Sequence, residues 1–360
     1  MKEILKKQFI NYINYVYPKK VVNKLPLNYK IEPISVCNLR CPICVDMTKD
    51  IQKNLMSVST FKGIIDQIPE RSKIDLFGYG ESFLHKEIFQ MIQYAKEKNH
   101  HIQVSSNFNL DKKLMQNIVE SEVDSIIISL DGNTQESYQK YRVRGDISKV
   151  FSNIVELNEL KQKLNKKKPQ LIWQFIVNKY NEHEMNDAKL KAKELGVQII
   201  FIPMGLAQDV LDGPYSKSRI NELKDEWLPK NKKFLDPYFV EGQNFVLEDT
   251  RCPMLWEWMT IYANGTVTPC CKIMKPENTF GNVNDSSLLE IWNNEKFQNS
   301  RNLFIHNDRS NCDTLCLNCD NYVMKNSVSF TKRNIDFTKE TYGKVLRKIK
   351  FKMPELFGIK

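Results

Sequence analysis

Hydrophobic residues between positions 31 and 202 follow two patterns that alternate along the chain. Short runs rich in Ile, Val, Leu and Phe are typical of buried parallel strands, and longer stretches with apolar residues on one face are typical of helices. The alternation therefore predicts strands and helices in turn, beginning with a strand. The predicted strands are Ile31–Val36, Lys73–Phe77, His101–Ser105, Ser125–Leu130, Leu171–Val177 and Gln198–Ile202.

The helices predicted between these strands have recognisable ends. Ser59 is a residue type that caps helix N-termini, and Gly196 is a typical stop signal. Six strand–helix units joined by right-handed crossovers predict a parallel α/β sheet with the helices outside. The predicted helices are Ser59–Ile68, Lys86–Lys98, Asp111–Ser121, Asp146–Leu164 and Glu182–Leu195.

Polar or glycine-containing motifs follow four of the predicted strands. Ligands of α/β sheets bind at the carboxyl ends of the strands, so these motifs are expected to line one common mouth. Their convergence is stronger evidence for a site than any single motif. The motifs begin at Cys37, Gly78, Ser106 and Asp131, after the first four strands in order.

A second, cysteine-rich module is predicted behind the alternating part of the chain. Within it, Asn264-Gly265 lies between two short β-prone runs, Thr260–Tyr262 and Thr266–Pro269, and predicts a hairpin turn. Apolar positions in the Lys-rich C-terminal tail favour a helix packed on the outside. The predicted division is 1–30 (N-terminal extension), 31–205 (alternating part), 206–250 (connector), 251–322 (cysteine-rich module) and 323–360 (tail).

Composition and charge are ordinary for a globular protein. The 360 residues are 41% hydrophobic and 27% charged, and the net charge of +10 comes mostly from Lys. A solvated Lys-rich surface explains this charge better than a nucleic-acid or membrane partner, because no compact basic and aromatic module is present. No run of about 18 apolar residues predicts a transmembrane helix. The N-terminus lacks the apolar core of a secretion signal, so we expect a cytoplasmic protein.

Three cysteines near the N-terminus carry the most specific chemistry. Cys37, Cys41 and Cys44 are spaced C-x3-C-x2-C, with no fourth Cys or His nearby. Three thiolates brought together leave one coordination position open, which suits an iron–sulfur cluster that also binds a small molecule. A zinc site would need four protein ligands or include His, and a disulfide would leave one thiol over. Both alternatives are therefore weaker.

The sequence around these cysteines resembles the signature of the radical S-adenosylmethionine (radical SAM) enzymes. The resemblance implies that the three thiolates hold a 4Fe–4S cluster and that Ile43 lies against the adenine of SAM. The loop with Gly78, Gly80 and Glu81 resembles the family's GGEP motif, whose backbone holds the SAM amino group. Ser82 stands where the family usually has Pro.

Further SAM contacts are implied by three other segments. Asn107 lies in a stretch that resembles the family's S-T-N-G motif, with Phe108 in place of Gly. Ser129 begins a close match to the S-L/I-D-G strand end. Arg142 aligns with an Arg that can meet the SAM carboxylate, since a guanidinium binds a carboxylate through two hydrogen bonds. The alternative for Arg142 is an exposed position on a helix surface.

The second cysteine group resembles the SPASM/twitch extension found behind many radical SAM barrels. It offers six thiols and closes with a C-x3-C-x2-C run, a pattern that favours one auxiliary 4Fe–4S cluster over two. A structural zinc on the same thiolates is the alternative. Cys271 and Cys312 are then left over, as inert thiols, an extra ligand or a hydrogen donor. The implied auxiliary ligands are Cys252, Cys270, Cys316 and Cys319.

The resemblance implies an α/β fold, in which a partial (β/α)6 radical SAM barrel precedes a small Cys-rich SPASM/twitch domain. It also implies two 4Fe–4S clusters and SAM as cofactors, with reductive cleavage of SAM to a 5′-deoxyadenosyl radical that abstracts hydrogen from a substrate. A reductase, or a flavodoxin- or ferredoxin-type donor, would supply the electrons. The cofactors carry the difficult step, and the protein orients and shields it.

The favoured reaction is the net two-electron oxidation of a sugar-like or other small metabolite, because an auxiliary cluster can accept the second electron. Epimerisation and modification of a ribosomal peptide are rivals within the enzyme class. An iron–sulfur electron-transfer protein without turnover is the alternative of another class, and the four strand-end motifs count against it. Tyr79, His85 and Gln174 are candidates to face the mouth, with a packing or surface position as the equal alternative for each.

Overall fold

The computed structural model describes residues 18–44, 52–206, 216–235, 252–306 and 314–319. Within these residues the strands join into one sheet. The strands are β1 (Asn28–Ile31), β2 (Lys73–Asp75), β3 (His101–Ser106), β4 (Ser125–Ser129), β5 (Gln170–Val177), β6 (Gln198–Pro203), β7 (Trp258–Ile261), β8 (Thr266–Thr268) and β9 (Gly281–Asn282).

The order of the strands across the sheet is β6-β5-β4-β3-β2-β1-β7-β8-β9. Strands β1 to β6 are parallel, which confirms the α/β prediction. β7 adds in parallel to the other side of β1, with Tyr29 opposite Met259, and β8 and β9 follow antiparallel. The sequence did not predict this continuation. The cysteine-rich module extends the first sheet instead of forming a separate one.

Helices connect the parallel strands and continue through the second module. None of the helices in the described ranges is long and apolar enough to cross a membrane. The main helices are α1 (Val58–Ile65), α2 (Ile88–Glu97), α3 (Leu114–Glu120), α4 (Gln135–Tyr141), α5 (Ile147–Lys163), α6 (Met185–Glu194), α7 (Lys217–Trp227), α8 (Met254–Glu257), α9 (Leu288–Trp292) and α10 (Glu295–His306).

The first strand required the largest correction. It was predicted at Ile31–Val36, but β1 lies at Asn28–Ile31, inside the predicted N-terminal extension. Pro33 lacks the backbone N–H that a central strand needs, so the apolar run beyond Ile31 leaves the sheet and leads to the first cysteine.

Smaller corrections concern the starts of helices. Ser57, and not Ser59, caps α1, because its hydroxyl accepts a hydrogen bond from the N–H of Thr60. Asp111 bonds the N–H of Lys113 in a turn, so α3 begins only at Leu114. Helix α4 was not predicted. The hairpin turn was predicted correctly, and Gly265 there has a positive φ of 84°.

The two faces of the sheet differ in polarity. On β3, Ile102 and Val104 are fully buried against the helices, whereas Gln103 and Ser105 point to the opposite face. There the amide of Gln103 donates to the hydroxyl of Ser125 at 3.0 Å. The inner face of β3 is therefore polar, while its outer face forms part of the core.

Candidate active site

The loop that carries the first three cysteines follows β1 and is fixed to the segment before α5. The N–H of Arg40 donates to the carbonyl of Val143 at 3.0 Å, and its guanidinium donates to the carbonyl of Cys37 at 3.0 Å. Burial, followed by the nearby thiols of Cys41 and Cys37, raises the pKa of Cys44 to about 12. The three predicted cluster ligands therefore lie together in a partly dehydrated loop.

Nitrogen donors from separate parts of the chain point at these sulfur atoms. The backbone N–H of Leu39 lies 3.4 Å from Cys37 Sγ, and the amide Nδ2 of Asn107 lies 3.7 Å from the same sulfur. The Nη1 of Arg142 lies 3.7 Å from Cys41 Sγ. Such donors stabilise a thiolate relative to a thiol, and hydrogen bonds to sulfur also set the potential of an iron–sulfur cluster.

Gly80 allows the loop after β2 to lie directly against the chain that leads to the cysteines. A Cβ on Gly80 would lie 2.1 Å from the carbonyl oxygen of Ile34 and 2.8 Å from that of Val36. The next residue, Glu81, donates its N–H to the carbonyl of Val36 at 3.0 Å. The loop predicted to hold the SAM amino group is thus in contact with the chain just before Cys37.

Replacing Gly80 by Ala is expected to disturb this contact, because the new methyl group would collide with backbone atoms that cannot move aside. We expect a loss of about 1–3 kcal/mol in stability, typical of overpacking, and weaker SAM binding. Thermal unfolding and calorimetric SAM titration measure both. Gly63→Ala is the matched control, since a Cβ there meets nothing within 4 Å and Ala favours a helix. Equal behaviour of the two variants would contradict the assigned role of Gly80.

Glu81 joins the second and third strand-end loops. Its carboxylate is 2% exposed and accepts hydrogen bonds from the N–H groups of Asn107 at 2.7 Å and Phe83 at 3.2 Å. Burial raises the pKa of Glu81 to about 7, although these hydrogen bonds act in the opposite direction. Beside it, the hydroxyl of Ser82 donates to the carbonyl of Leu76 at 3.0 Å, which fixes the loop at the position where the family usually has Pro.

The backbone of the loop after β3 explains why the chain has Phe108 where the family motif has Gly. Its φ is 58°, in the left-handed region that favours the glycine of the family motif. The Phe ring is fully buried, and its packing offsets a backbone strain of about 1–2 kcal/mol. Next to it, Asn107 donates to the side-chain oxygen of Asn38 at 2.8 Å. Asn107 is therefore connected to the cysteine loop through Asn38 as well as through Cys37.

The fourth loop contains a buried ion pair. The Nε of Arg142 donates to Oδ2 of Asp131 at 2.5 Å, and Oδ1 of Asp131 accepts the N–H of Ile176 at 2.7 Å. The side chain of Arg142 is 13% exposed and that of Asp131 is fully buried, so Arg142 is not a helix-surface residue. Ser129, at the end of β4, lies nearby in sequence, with its hydroxyl 3.4 Å from that of Ser105. Asp131, which was not assigned a role from sequence, orients the guanidinium.

Arg142→Ala is expected to weaken SAM binding by about 1.5–3 kcal/mol if the guanidinium meets the SAM carboxylate. It should also lower stability by about 3 kcal/mol, because Asp131 would remain buried and unpaired. Arg144→Ala is the matched control, since Arg144 is exposed. Isothermal titration with SAM below the unfolding temperature separates the two effects. An unchanged affinity in Arg142→Ala with a loss in Arg144→Ala would transfer the role to Arg144.

The cysteines of the second group also lie close together in the structure. Burial, followed by the thiols of Cys316 and Cys319, raises the pKa of Cys252 to about 12. Burial and then the thiols of Cys271, Cys316 and Cys252 raise the pKa of Cys270. The four predicted auxiliary ligands thus lie within electrostatic range of one another. Cys271 is exposed, and Cys312 lies outside the described residues.

A zinc ion and an iron–sulfur cluster require different arrangements of their thiolate ligands. In the described part of the chain, no three His, Cys, Asp or Glu side chains are grouped closely enough to hold one metal ion. A zinc ion requires its sulfur ligands about 2.3 Å from one point, whereas the thiolates of a 4Fe–4S cube are spread over its several irons.

Polar and aromatic contacts connect the loop after β2 with the module that contains the second cysteine group. The rings of Tyr79 and Tyr262 stack at a centroid distance of 6.3 Å, and the hydroxyl of Tyr79 donates to the carbonyl of Cys271 at 3.5 Å. The buried carboxylate of Glu32 accepts the N–H of Tyr79 at 2.7 Å and that of Ala263 at 3.3 Å. Sequence reasoning missed Glu32, because a single acidic residue after a strand gives no signal of its partners.

His85 has a structural position. Its Nδ1 accepts the N–H of Glu87 at 3.1 Å, so Nε2 carries the proton and donates to the carbonyl of Met56 at 2.9 Å. With both ring nitrogens used inside the fold and 3% exposure, His85 is not available to a substrate. Of the two alternatives for His85, the structure supports the packing position and not the place at the mouth. Gln174 lies on β5 and is half-buried.

Comparison with known families decides the identity of the chain. Residues 31–206 match the radical SAM superfamily, and residues 252–320 match SPASM, an iron–sulfur cluster-binding domain. The chain belongs to the radical SAM superfamily. It is a radical SAM enzyme with a C-terminal SPASM domain, and membership implies iron–sulfur clusters and SAM as its cofactors.

Individual relatives are similar over much of this radical SAM chain. A tungsten-containing aldehyde ferredoxin oxidoreductase cofactor-modifying protein from Pyrococcus furiosus is 25% identical, over 74% of this chain and 81% of its own length. A probable GTP 3′,8-cyclase from Methanocaldococcus jannaschii is 24% identical, over 61% and 72%. SuiB from Streptococcus suis bound to S-adenosylmethionine superposes with a TM-score of 0.58 at 15% identity, over 89% of this chain and 75% of SuiB. That likeness concerns the fold.

Proposed function

We propose that this protein is a radical SAM oxidase that removes two electrons from a small, sugar-like or related metabolite. One observation carries the proposal. Three strand-end loops, with Cys37, Glu81 and Asn107, converge through direct hydrogen bonds, and Arg142, at the end of α4, reaches Cys41 in the first of these loops. An electron-transfer protein without a substrate would have no use for three loops arranged around a cysteine triad in this way.

In this proposal the chain's residues hold and orient the cofactors. Cys37, Cys41 and Cys44 would hold a 4Fe–4S cluster. When bound, the cluster and SAM supply reductive cleavage of SAM and abstraction of hydrogen from the substrate. The guanidinium nitrogens of Arg142 that Asp131 does not bind would meet the SAM carboxylate. The remaining SAM-binding residues in the proposal are Ile43, Gly78, Gly80, Glu81, Asn107 and Ser129.

The second group of thiols supports an oxidation. Cys252, Cys270, Cys316 and Cys319 would hold an auxiliary 4Fe–4S cluster, the evident acceptor for a second electron. The module with these thiols continues the sheet of the barrel through the β1–β7 pair, and Glu32 bonds both parts. The two sites would therefore be held at a fixed separation, which an electron transfer between substrate and acceptor requires.

A second candidate is modification of a cofactor precursor. The relative from Pyrococcus furiosus bears the name of a cofactor-modifying protein and is similar over 81% of its length. Peptide modification remains a third substrate class, since a structure of similar fold, SuiB, is bound to its precursor peptide SuiA. All three classes share the same proposed SAM site.

The experiment is SAM cleavage by the reconstituted, chemically reduced protein under anaerobic conditions. We expect slow release of 5′-deoxyadenosine without substrate, and none from Cys41→Ala. Sugars, cofactor precursors and peptides are then added separately, and the true class should accelerate the release. A product two mass units lighter than its substrate supports oxidation. Cleavage that persists in Cys41→Ala would overturn the proposal.

A further inference from the structure

Helix α7, in the connector between the two domains, packs on the cysteine loop. Its Leu223 and Trp227 are 1% and 4% exposed. They belong to an apolar cluster that also contains Cys41 and Ile43, with Cys37 and Cys44 packed against it. The remaining members are Leu39, Tyr141, Met204 and Leu206, with Ile176, Tyr180 and Leu228 at the edge. The connector thus contributes side chains to the wall around the triad.

Trp227 is held in a fixed orientation. Its carbonyl accepts the N–H of Lys179 at 3.1 Å, which ties the end of α7 to the chain after β5. Its ring meets the edges or faces of two tyrosine rings, Tyr141 at 5.3 Å and Tyr180 at 5.4 Å between centroids, both in T-shaped geometry. A side chain fixed from three directions can present its polar atom accurately.

The indole N–H of Trp227 is buried and has no hydrogen-bond acceptor among the residues that the structure describes. An unsatisfied buried donor costs about 1–3 kcal/mol. Trp173 and Trp256 avoid this cost, because their indoles donate to backbone carbonyls at 2.6 and 2.9 Å. The indole of Trp292 is also without an acceptor, but its ring packs under the guanidinium of Arg301 in the second domain. Only the Trp227 donor, of these two, lies in the cluster around the triad.

We propose that Trp227 is a SAM-binding residue, whose indole N–H donates to a nitrogen or oxygen acceptor of the adenosyl group. This inference rests on the proposed function, because it assumes that SAM binds at the triad. An adenosyl group combines a flat apolar base with ring-nitrogen and ribose-oxygen acceptors. The apolar cluster, with the unbonded indole N–H of Trp227, matches that combination. Ile43 belongs to the same cluster. The connector would thereby complete the SAM site.

Trp227→Phe tests the inference, because it removes the N–H and keeps an aromatic ring for both tyrosines. We expect the SAM dissociation constant of the reconstituted protein to rise about three- to tenfold, the effect of one hydrogen bond. Iron content should stay unchanged, and the melting temperature should fall only by the effect of the smaller ring, since the N–H has no partner in the absence of SAM. Trp256→Phe is the matched control: it also loses the hydrogen bond to the carbonyl of Lys19, so we expect a larger fall in melting temperature and an unchanged SAM affinity.

Each outcome of this experiment is decisive. An unchanged SAM affinity in Trp227→Phe, measured while the wild type binds SAM, overturns the inference and leaves the proposed function intact. A loss of affinity that is accompanied by loss of iron also overturns it, because Trp227 would then act only through packing around the cysteine loop. If the wild type itself does not bind SAM, the proposed function fails first.

Discussion

Replacement of Cys37, Cys41 and Cys44 together by Ala is expected to remove about four of about eight Fe per chain and to abolish SAM cleavage. The three thiolates are the only protein ligands proposed for the first cluster. Without them the four thiols of the second group would still hold about four Fe. Iron analysis after anaerobic reconstitution, together with chromatography of 5′-deoxyadenosine, measures both effects.

Cys271→Ala is the matched control for this experiment. Cys271 is an exposed cysteine outside both proposed ligand sets, so its replacement should leave the iron content and SAM cleavage unchanged. Wild-type protein with about four Fe and one tightly bound zinc would show that the second group is a zinc site. A triple variant that keeps about eight Fe would refute the assignment of the first group.

The parallel sheet could be predicted from sequence because apolar runs and one-faced helices alternate clearly. The strand ends β2 to β5 were each placed within a few residues for that reason. The first strand was predicted too far along the chain, because the apolar pattern continues past Ile31. Pro33 in that continuation cannot donate the backbone hydrogen bond that a central strand needs. The pairing of β7 with β1 was not predictable, since contacts between residues about 230 positions apart leave no local pattern.

The residues of the candidate site likewise fall into some that the sequence predicted and others that it did not. The cysteines and the glycine loop were found because their spacing is itself the signal. Sequence reasoning did not find Asp131 as the partner of Arg142, Glu32 as a link between the domains, or Trp227 as part of the apolar cluster around Cys41. Each of these acts through a single long-range contact with an ordinary residue type. Only the fold determines which acidic or aromatic side chain has such a contact.

The double replacement of Cys316 and Cys319 by Ala is expected to stop product oxidation while SAM cleavage continues. These two thiols are buried and lie in the terminal turn, where the N–H of Cys319 donates to the carbonyl of Cys316 at 3.2 Å. Their loss would remove half of the proposed auxiliary ligands. The residues around the first cysteine triad would remain in place.

Folding is the first control for this variant, because metal ligands often hold a loop-rich module together. Here the module also shares the sheet through β7, and its core contains Trp292 and Phe297, both fully buried, so a folded variant is expected. Size-exclusion chromatography and retention of about four Fe verify it. If such a variant still forms the oxidised product, the second group of thiols has no role in electron acceptance. Solvent deuterium incorporated at the reacting carbon would instead indicate epimerisation. The spare thiols Cys271 and Cys312 would then become the hydrogen donors to replace singly.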